Sequence, residues 1–302
     1  MDTKILGSIA GLFISFIISS TSFSQDSLLS LLDDSLKSGS ATLPVKATFK
    51  AIHLVNAQTI ESPAKGDLNF IIMHRFGQLN EGAYAFFGLD NAFIRLGLDF
   101  GISDRLGIGI GRSSLEKTFD GYLKYKLVRQ SEGAKNFPFS VSLLGSITNY
   151  TVRFPDKPFL NGKFRTTYVT QMMLARKFSS SFSLQLSPTW LHFNMVPTKQ
   201  DNNDVFATII GGRIKFNKRM SISAEYNYLF PNQVESMELT NSLSLGLDIE
   251  TGGHVFQLVF SNSRGMIEPQ YITRTTGEWG KGDIFFGFNV SRNFSLGKKL
   301  KD

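Results

Sequence analysis

Apolar and polar residues alternate singly along most of this chain. The pattern is cleanest over Met220-Ser221-Ile222-Ser223-Ala224-Glu225-Tyr226-Asn227-Tyr228, where a period of two puts successive side chains on opposite faces of a β-strand. Comparable stretches predict strands over residues 67–76, 92–102, 105–113, 118–129, 137–150, 163–178, 181–194, 204–216, 219–230, 239–250, 254–262 and 283–294. Two kinds of connection alternate between them. Short turns fall at 103–104, 179–180, 217–218 and 251–253, with a longer member at 131–136; longer loops fall at 77–91, 113–117, 151–162, 195–203, 231–238 and 263–282. Bacterial transmembrane barrels have short periplasmic turns, longer outer loops and an even strand count that returns both ends to one side. Most segments are near or above the roughly 9 to 11 residues that a tilted strand needs to cross a bilayer.

The pattern therefore predicts an all-β fold: an antiparallel up-and-down transmembrane β-barrel of about 12 strands with a short N-terminal helical and extended extension. Only a closed barrel satisfies the backbone groups of every strand in lipid. A soluble sandwich alternates too, but buries its apolar face against a second sheet. Strand parity puts Ile94, Leu96, Leu98 and Phe100, Leu123, Tyr125 and Leu127, and Phe286, Phe288 and Val290 on the lipid face. It turns Arg95, Asp99, Lys124, Lys126, Glu225, Asn227, Asp248 and Asn289 inward, as the candidate lumen-lining residues. Gly107, Gly109 and Gly111 share one inward face and leave room for a neighbouring side chain or a plug. Phe76, Tyr150, Phe164, Phe178, Phe216, Phe230 and Phe294 lie near strand ends, where aromatic girdles meet headgroups.

The amino terminus supplies an address. Lys4 precedes an apolar stretch over 5–18, and Ser22 and Ser24 are the small residues of a secretory signal peptide cleaved after Ser24. Residues 25–66 then read as a periplasmic or lumenal extension: a short amphipathic helix over 26–37 and an extended stretch over 48–60, which as a thirteenth strand would leave one terminus outside. Residues 295–302 form a basic tail. The chain has no cysteine, which excludes a disulfide-stapled domain and a lipidated amino-terminal cysteine. Its 32 basic and 25 acidic residues leave a formal charge of +7, a mild excess that suits a solvated surface or anionic lipid and predicts no nucleic-acid partner.

Reaction chemistry finds little to build on. The glycines of 107–111 recur every second residue and lack the Gly-Lys-Ser/Thr ending of a phosphate loop. His53, His74, His192 and His254 show no metal-ligand spacing, so no metal, cofactor or catalytic residue is predicted. His192 and Asn194 share one strand face without a serine beside them, short of a barrel hydrolase. The charged inward residues, Arg95 with Asp99, Lys124 with Lys126 and Glu225 with Asp248, predict lumenal ion pairs or a selectivity constriction.

Two stretches are familiar as well as physically legible. Ala51-Ile52-His53-Leu54-Val55-Asn56-Ala57-Gln58-Thr59-Ile60-Glu61-Ser62-Pro63-Ala64-Lys65-Gly66, running on to Met73-His74-Arg75-Phe76-Gly77, resembles the opening of an uncharacterised family of bacterial outer-membrane β-barrel proteins. Phe87-Gly88-Leu89-Asp90-Asn91-Ala92, Gly101-Ile102-Ser103-Asp104-Arg105-Leu106 and Asp120-Gly121-Tyr122-Leu123-Lys124-Tyr125-Lys126 resemble its next blocks. The resemblance implies a barrel and an outer-membrane address, with no settled activity to transfer. The expected function is a passive channel or transport-associated barrel for a small solute or ion. Its expected partners are outer-membrane lipid and the barrel-assembly machinery of a Gram-negative cell. The alternatives are a structural or adhesion barrel acting through outer loops, with Tyr271 and Trp279 as the loop-binding candidates, and a lipid-modifying enzyme.

Overall fold

The computed structural model describes residues 42–296. The expected signal peptide, the helix over 26–37 and the tail from residue 297 lie outside them. The chain divides into two units, and residues 44–132 with 136 onward hold the barrel. Its strands are β1 (Asp67–Gln78), β2 (Ala92–Gly101), β3 (Leu106–Ser113), β4 (Phe119–Val128), β5 (Ser140–Asn149), β6 (Thr166–Lys177), β7 (Phe182–Phe193), β8 (Asp204–Lys215), β9 (Met220–Leu229), β10 (Ser242–Thr251), β11 (His254–Ser261) and β12 (Phe285–Ser295). Each pairs antiparallel with its neighbours in the chain, and β12 closes on β1 with Phe288 opposite His74. Two register shifts interrupt the ladder, between Phe285 and Gly287 and between Lys126 and Val128. No described helix is long and apolar enough to cross a membrane.

The twelve predicted strands are the twelve of the closed barrel, with ends that move for local reasons. Residues 163–165 leave β6 because the Asn161 side chain accepts the N–H groups of Lys163 and Phe164, a turn that competes with strand pairing. Residues 239–241 leave β10 because Thr240 bonds to the carbonyls of Thr275 and Gly277 in the last long loop.

Parity holds around the wall. On β2, Leu96 is 45 % exposed and Leu98 41 %, while Arg95 and Asp99, which flank the pair, are 2 % and 0 %. The outward row meets lipid and the inward row meets protein. The chain leading into β1 crosses the end of β2 so closely that a Cβ on Gly101 would collide with the carbonyls of Pro63 and Ala64, and Gly66 N–H donates to the Gly101 carbonyl at 2.8 Å. The inward glycines of β3 have the predicted use: a Cβ on Gly109 would strike the Tyr122 ring, and one on Gly111 would strike the Arg95 guanidinium.

Candidate functional site

Residues 48–61 form no barrel strand, yet nearly all of them are buried. They fold as a short hairpin. Leu54 N–H donates to the Ala57 carbonyl at 2.8 Å, Thr59 N–H to the Ile52 carbonyl at 2.7 Å, and a single antiparallel bridge joins His53 to Gln58. This internal bonding leaves the N–H groups of the tip, Val55, Asn56 and Ala57, without a backbone partner. The Glu225 carboxylate on β9 accepts all three, at 2.9–3.1 Å.

Other side chains of the wall complete the hold. Lys124 on β4 donates to the carbonyls of Thr59 and Glu61 at 2.8 and 2.7 Å. Gln185 on β7 accepts from Ile60 N–H at 3.0 Å and donates to the Gln58 carbonyl at 2.8 Å. Gln257 on β11 donates to the Leu54 carbonyl, and Asn289 on β12 to the Val55 carbonyl at 2.8 Å. Arg75 on β1 donates to the side chains of Asn56 and Asn289, and Asn56 donates to Ser244 on β10. These strands stand all the way around a closed ring, so a hairpin that bonds to all of them sits inside it. Leu54, Phe49 and Ile60 add apolar contact with Tyr122, Leu144, Met173 and Ala175.

A second element fills the barrel. The last long loop, expected outside, turns inward and forms α1 (Glu268–Thr273), every residue of which is buried. Tyr271 and Ile272 pack with Val169, Leu191, Val205, Ala207, Ile209 and the hairpin's Ala57, and Met266 packs with Ile71 and Met73. Arg274 pairs with Glu116, and Gln270 donates to the Leu115 carbonyl at 3.3 Å. The cavity left between hairpin and α1 is about 10 Å³, lined by residues including His53, Gln58, Arg95, Tyr122 and Glu268. That is room for a single water. Burial pushes the His53 imidazole down to about 4, so it is neutral at physiological pH, and burial raises the Glu268 carboxyl. The larger cavities lie away from this contact, one of about 390 Å³ bordered by Gln78, Arg264 and Thr276 and one of about 120 Å³ near Lys50 and Lys215.

All eight inward candidates are buried, but their partners differ from those expected. Arg95 pairs with Asp120, its Nε at 3.0 Å, whereas Asp99 accepts from Asn69 at 2.9 Å and from the Tyr122 hydroxyl at 2.6 Å. Glu225 and Asp248 do not meet: Glu225 stands opposite Ser244 and Asp248 opposite Ser221, four residues apart along adjacent strands. Asp248 accepts from Ser221 and Ser223 at 2.8 and 2.7 Å. Lys124 holds the hairpin and Lys126 lies beside the same stretch, in a cleft shared with Ile60 and Glu61. Both side-chain polar atoms of Asn227 are buried without a hydrogen bond.

The loop-binding expectation needs correction. Tyr271 is 0 % exposed, drawn inward by the apolar cluster. Trp279 is half-buried, with its indole N–H donating to the Leu243 carbonyl at 3.0 Å. His192 lies 2.8 Å from Asp204, which also accepts from Trp190 at 2.9 Å. Arg75, Asp120 and Gln257 were not singled out by the sequence. Arg75 was hidden because β1 carries apolar residues on both faces, Phe70 and Ile72 outward and Ile71 and Met73 inward. Among the described residues no three His, Asp or Glu side chains converge as a metal site.

The chain is similar to the NanC porin at 9 % identity and TM-score 0.49, over 74 % of this chain and 98 % of that one. It is similar to the KdgM porin at 11 % identity and TM-score 0.46, over 74 % and 99 %. A COG4313 outer membrane channel from Pseudomonas putida F1 gives 12 % and 0.46, over 78 % and 97 %. No curated protein matches the sequence. Residues 49–294, the inner hairpin included, match the family model of a membrane bound beta barrel domain, DUF5777, and the chain belongs to that family.

Proposed function

We propose that the protein is an outer-membrane barrel serving as a gated, transport-associated conduit for a small polar solute or ion, with the hairpin of residues 48–61 as its gate and no reaction of its own. One observation carries this reading: the hairpin is held to the wall by side chains alone. A strand added to the ladder would be locked by a row of backbone bonds. Bonds to Glu225, Lys124, Gln185, Gln257 and Asn289 are instead exchangeable for water one at a time. With the hairpin withdrawn, Arg95, Asp99, Lys124, Lys126, Glu225, Asn227, Asp248 and Asn289 would face the path as its polar lining. The outward apolar rows suit outer-membrane lipid, and a leader cleaved after Ser24 would deliver the chain to the barrel-assembly machinery.

Planar-bilayer recording tests the reading. The full-length protein is expected to be mostly silent with rare openings, and a chain lacking residues 48–60 to conduct steadily. If the deleted chain inserts and runs as a folded barrel on unheated gels but never conducts, the gate is refuted.

A further inference from the structure

The geometry points to a binding site for a phosphate-like oxyanion in one mouth of the barrel, between the lead-in to the hairpin and the turns of β6–β7 and β8–β9. The cavity there is about 120 Å³ and is lined by residues including Lys50, Lys177, Ser181, Arg213, Lys215 and Glu250. Four cations surround it and two carboxylates answer them, Glu250 in its lining and Asp248 3.8 Å from Arg213 behind it. Both Glu250 oxygens are already engaged, Oε1 by Arg213 at 2.5 Å and Oε2 by Lys50 at 3.1 Å. The Lys177 ammonium donates to the Lys46 carbonyl at 2.9 Å and has no carboxylate within ion-pair distance among the described residues. Lys215 has no carboxylate within ion-pair distance among the described residues, where Arg213, two positions away, has two. The surplus of positive charge converges on a space that admits a tetrahedral oxyanion, with the Ser181 hydroxyl as a further donor.

Strand parity decides which anion. Lys177 shares the inward face of β6 with Ala175, Lys215 that of β8 with Arg213, and Glu250 that of β10 with Asp248. Their outward neighbours are Arg176, Ile214 and Ile249. The site therefore opens to the aqueous mouth and not to the bilayer, which favours a soluble anion over a lipid headgroup. Because Ala47, Thr48 and Lys50 belong to the chain entering the hairpin and the rest to the wall, a bound anion ties one to the other. It acts as an electrostatic clamp on the hairpin's base.

Inorganic phosphate is the probe, titrated by calorimetry into full-length protein in neutral detergent at constant ionic strength. Saturable binding is expected, weakened at least tenfold in Lys215→Gln, restored in Lys215→Arg and unchanged in Lys218→Gln, an exposed charge of the same turn outside the cavity. No saturable heat, or equal weakening by Lys215→Gln and Lys218→Gln, would overturn the site. Phosphate is also expected to slow hydrogen exchange over residues 47–50 in the wild type and not in Lys215→Gln; binding without that slowing would overturn the clamp. Anionic vesicles competing with phosphate for the site would overturn its assignment to a soluble anion. None of these readouts uses conductance, so failure of this site and failure of the gate are separate results.

Discussion

Two elements fill this barrel, and they are held by opposite means. The hairpin of residues 48–61 is fastened chiefly by charged and amide side chains aimed at its backbone, with Glu225 taking three consecutive N–H groups. The loop carrying α1 is fastened chiefly by apolar contact, with Tyr271 and Ile272 set among Val169, Leu191, Val205, Ala207 and Ile209. Apolar burial scales with area and is lost only when the whole face separates. Hydrogen bonds to side chains can be traded for water individually, each with a net worth of about 0.5–1.5 kcal/mol, or about 1.5–3 when one partner is charged. On the gated reading proposed above, the helical loop serves stability and the hairpin movement.

Ile272→Asp attacks the stable side and should have the largest effect. It places a carboxylate in the apolar cluster, and a loss of about 4 kcal/mol, at the upper end for single substitutions, should appear as a lowered urea midpoint. A midpoint unchanged from wild type would mean that α1 is not anchored as described.

On the movable side, acid is the next lever. His53 is buried between the hairpin and α1 and faces Asp99, Arg95, Lys124 and Glu268, and its pKa lies near 4 when docked against 6.5 in water. The released hairpin thus binds the proton more tightly. Docking keeps its full strength above pH 6.5 and weakens as pH falls from 6.5 to about 4, by about 3 kcal/mol at the end of that window. Hydrogen-exchange protection over residues 52–59, taken relative to the intrinsic rate at each pH, should fall across it in the wild type and stay flat in His53→Gln. A fall that persists in His53→Gln would assign the response to other groups.

Glu225→Gln probes the latch with a smaller change. The amide keeps the shape but loses the charge that strengthens three hydrogen bonds, and about 2 kcal/mol of docking should go with it. Opening events in bilayer recordings should become more frequent by about thirtyfold, while the urea midpoint of the barrel moves little. A shifted midpoint without added openings would make Glu225 part of the structural frame. Trp279→Phe should do least: it removes one bond to the Leu243 carbonyl, costs under about 1 kcal/mol and leaves conductance as it was.

Much of the architecture was legible because strand parity is a local property. A residue's face follows from its position in an alternating run, and lipid on one side keeps that run clean. Where the interior was itself apolar the signal failed: β1, with Ile71 and Met73 inward, gave no hint of Arg75. The hairpin was legible as extended chain, but its docking was not. His53-Leu54-Val55-Asn56-Ala57-Gln58 carries no sign of Glu225, which lies some 170 residues away. Tyr271 read as an exposed loop aromatic because its loop is long and follows a strand end, and no local rule tells a loop that folds inward from one that folds out.

The amino-acid order alone determined the strands, their count and which face of each meets lipid, because these follow from periodicity, length and turn composition within a few neighbouring residues. Tertiary structure alone decided what occupies the space inside. Closing the ring brought Glu225, Lys124, Gln185, Gln257 and Asn289 from five different strands onto one hairpin. A carboxylate's partner is whatever donor the fold delivers to it, and for a side chain facing the middle of a barrel that donor comes from anywhere in the chain.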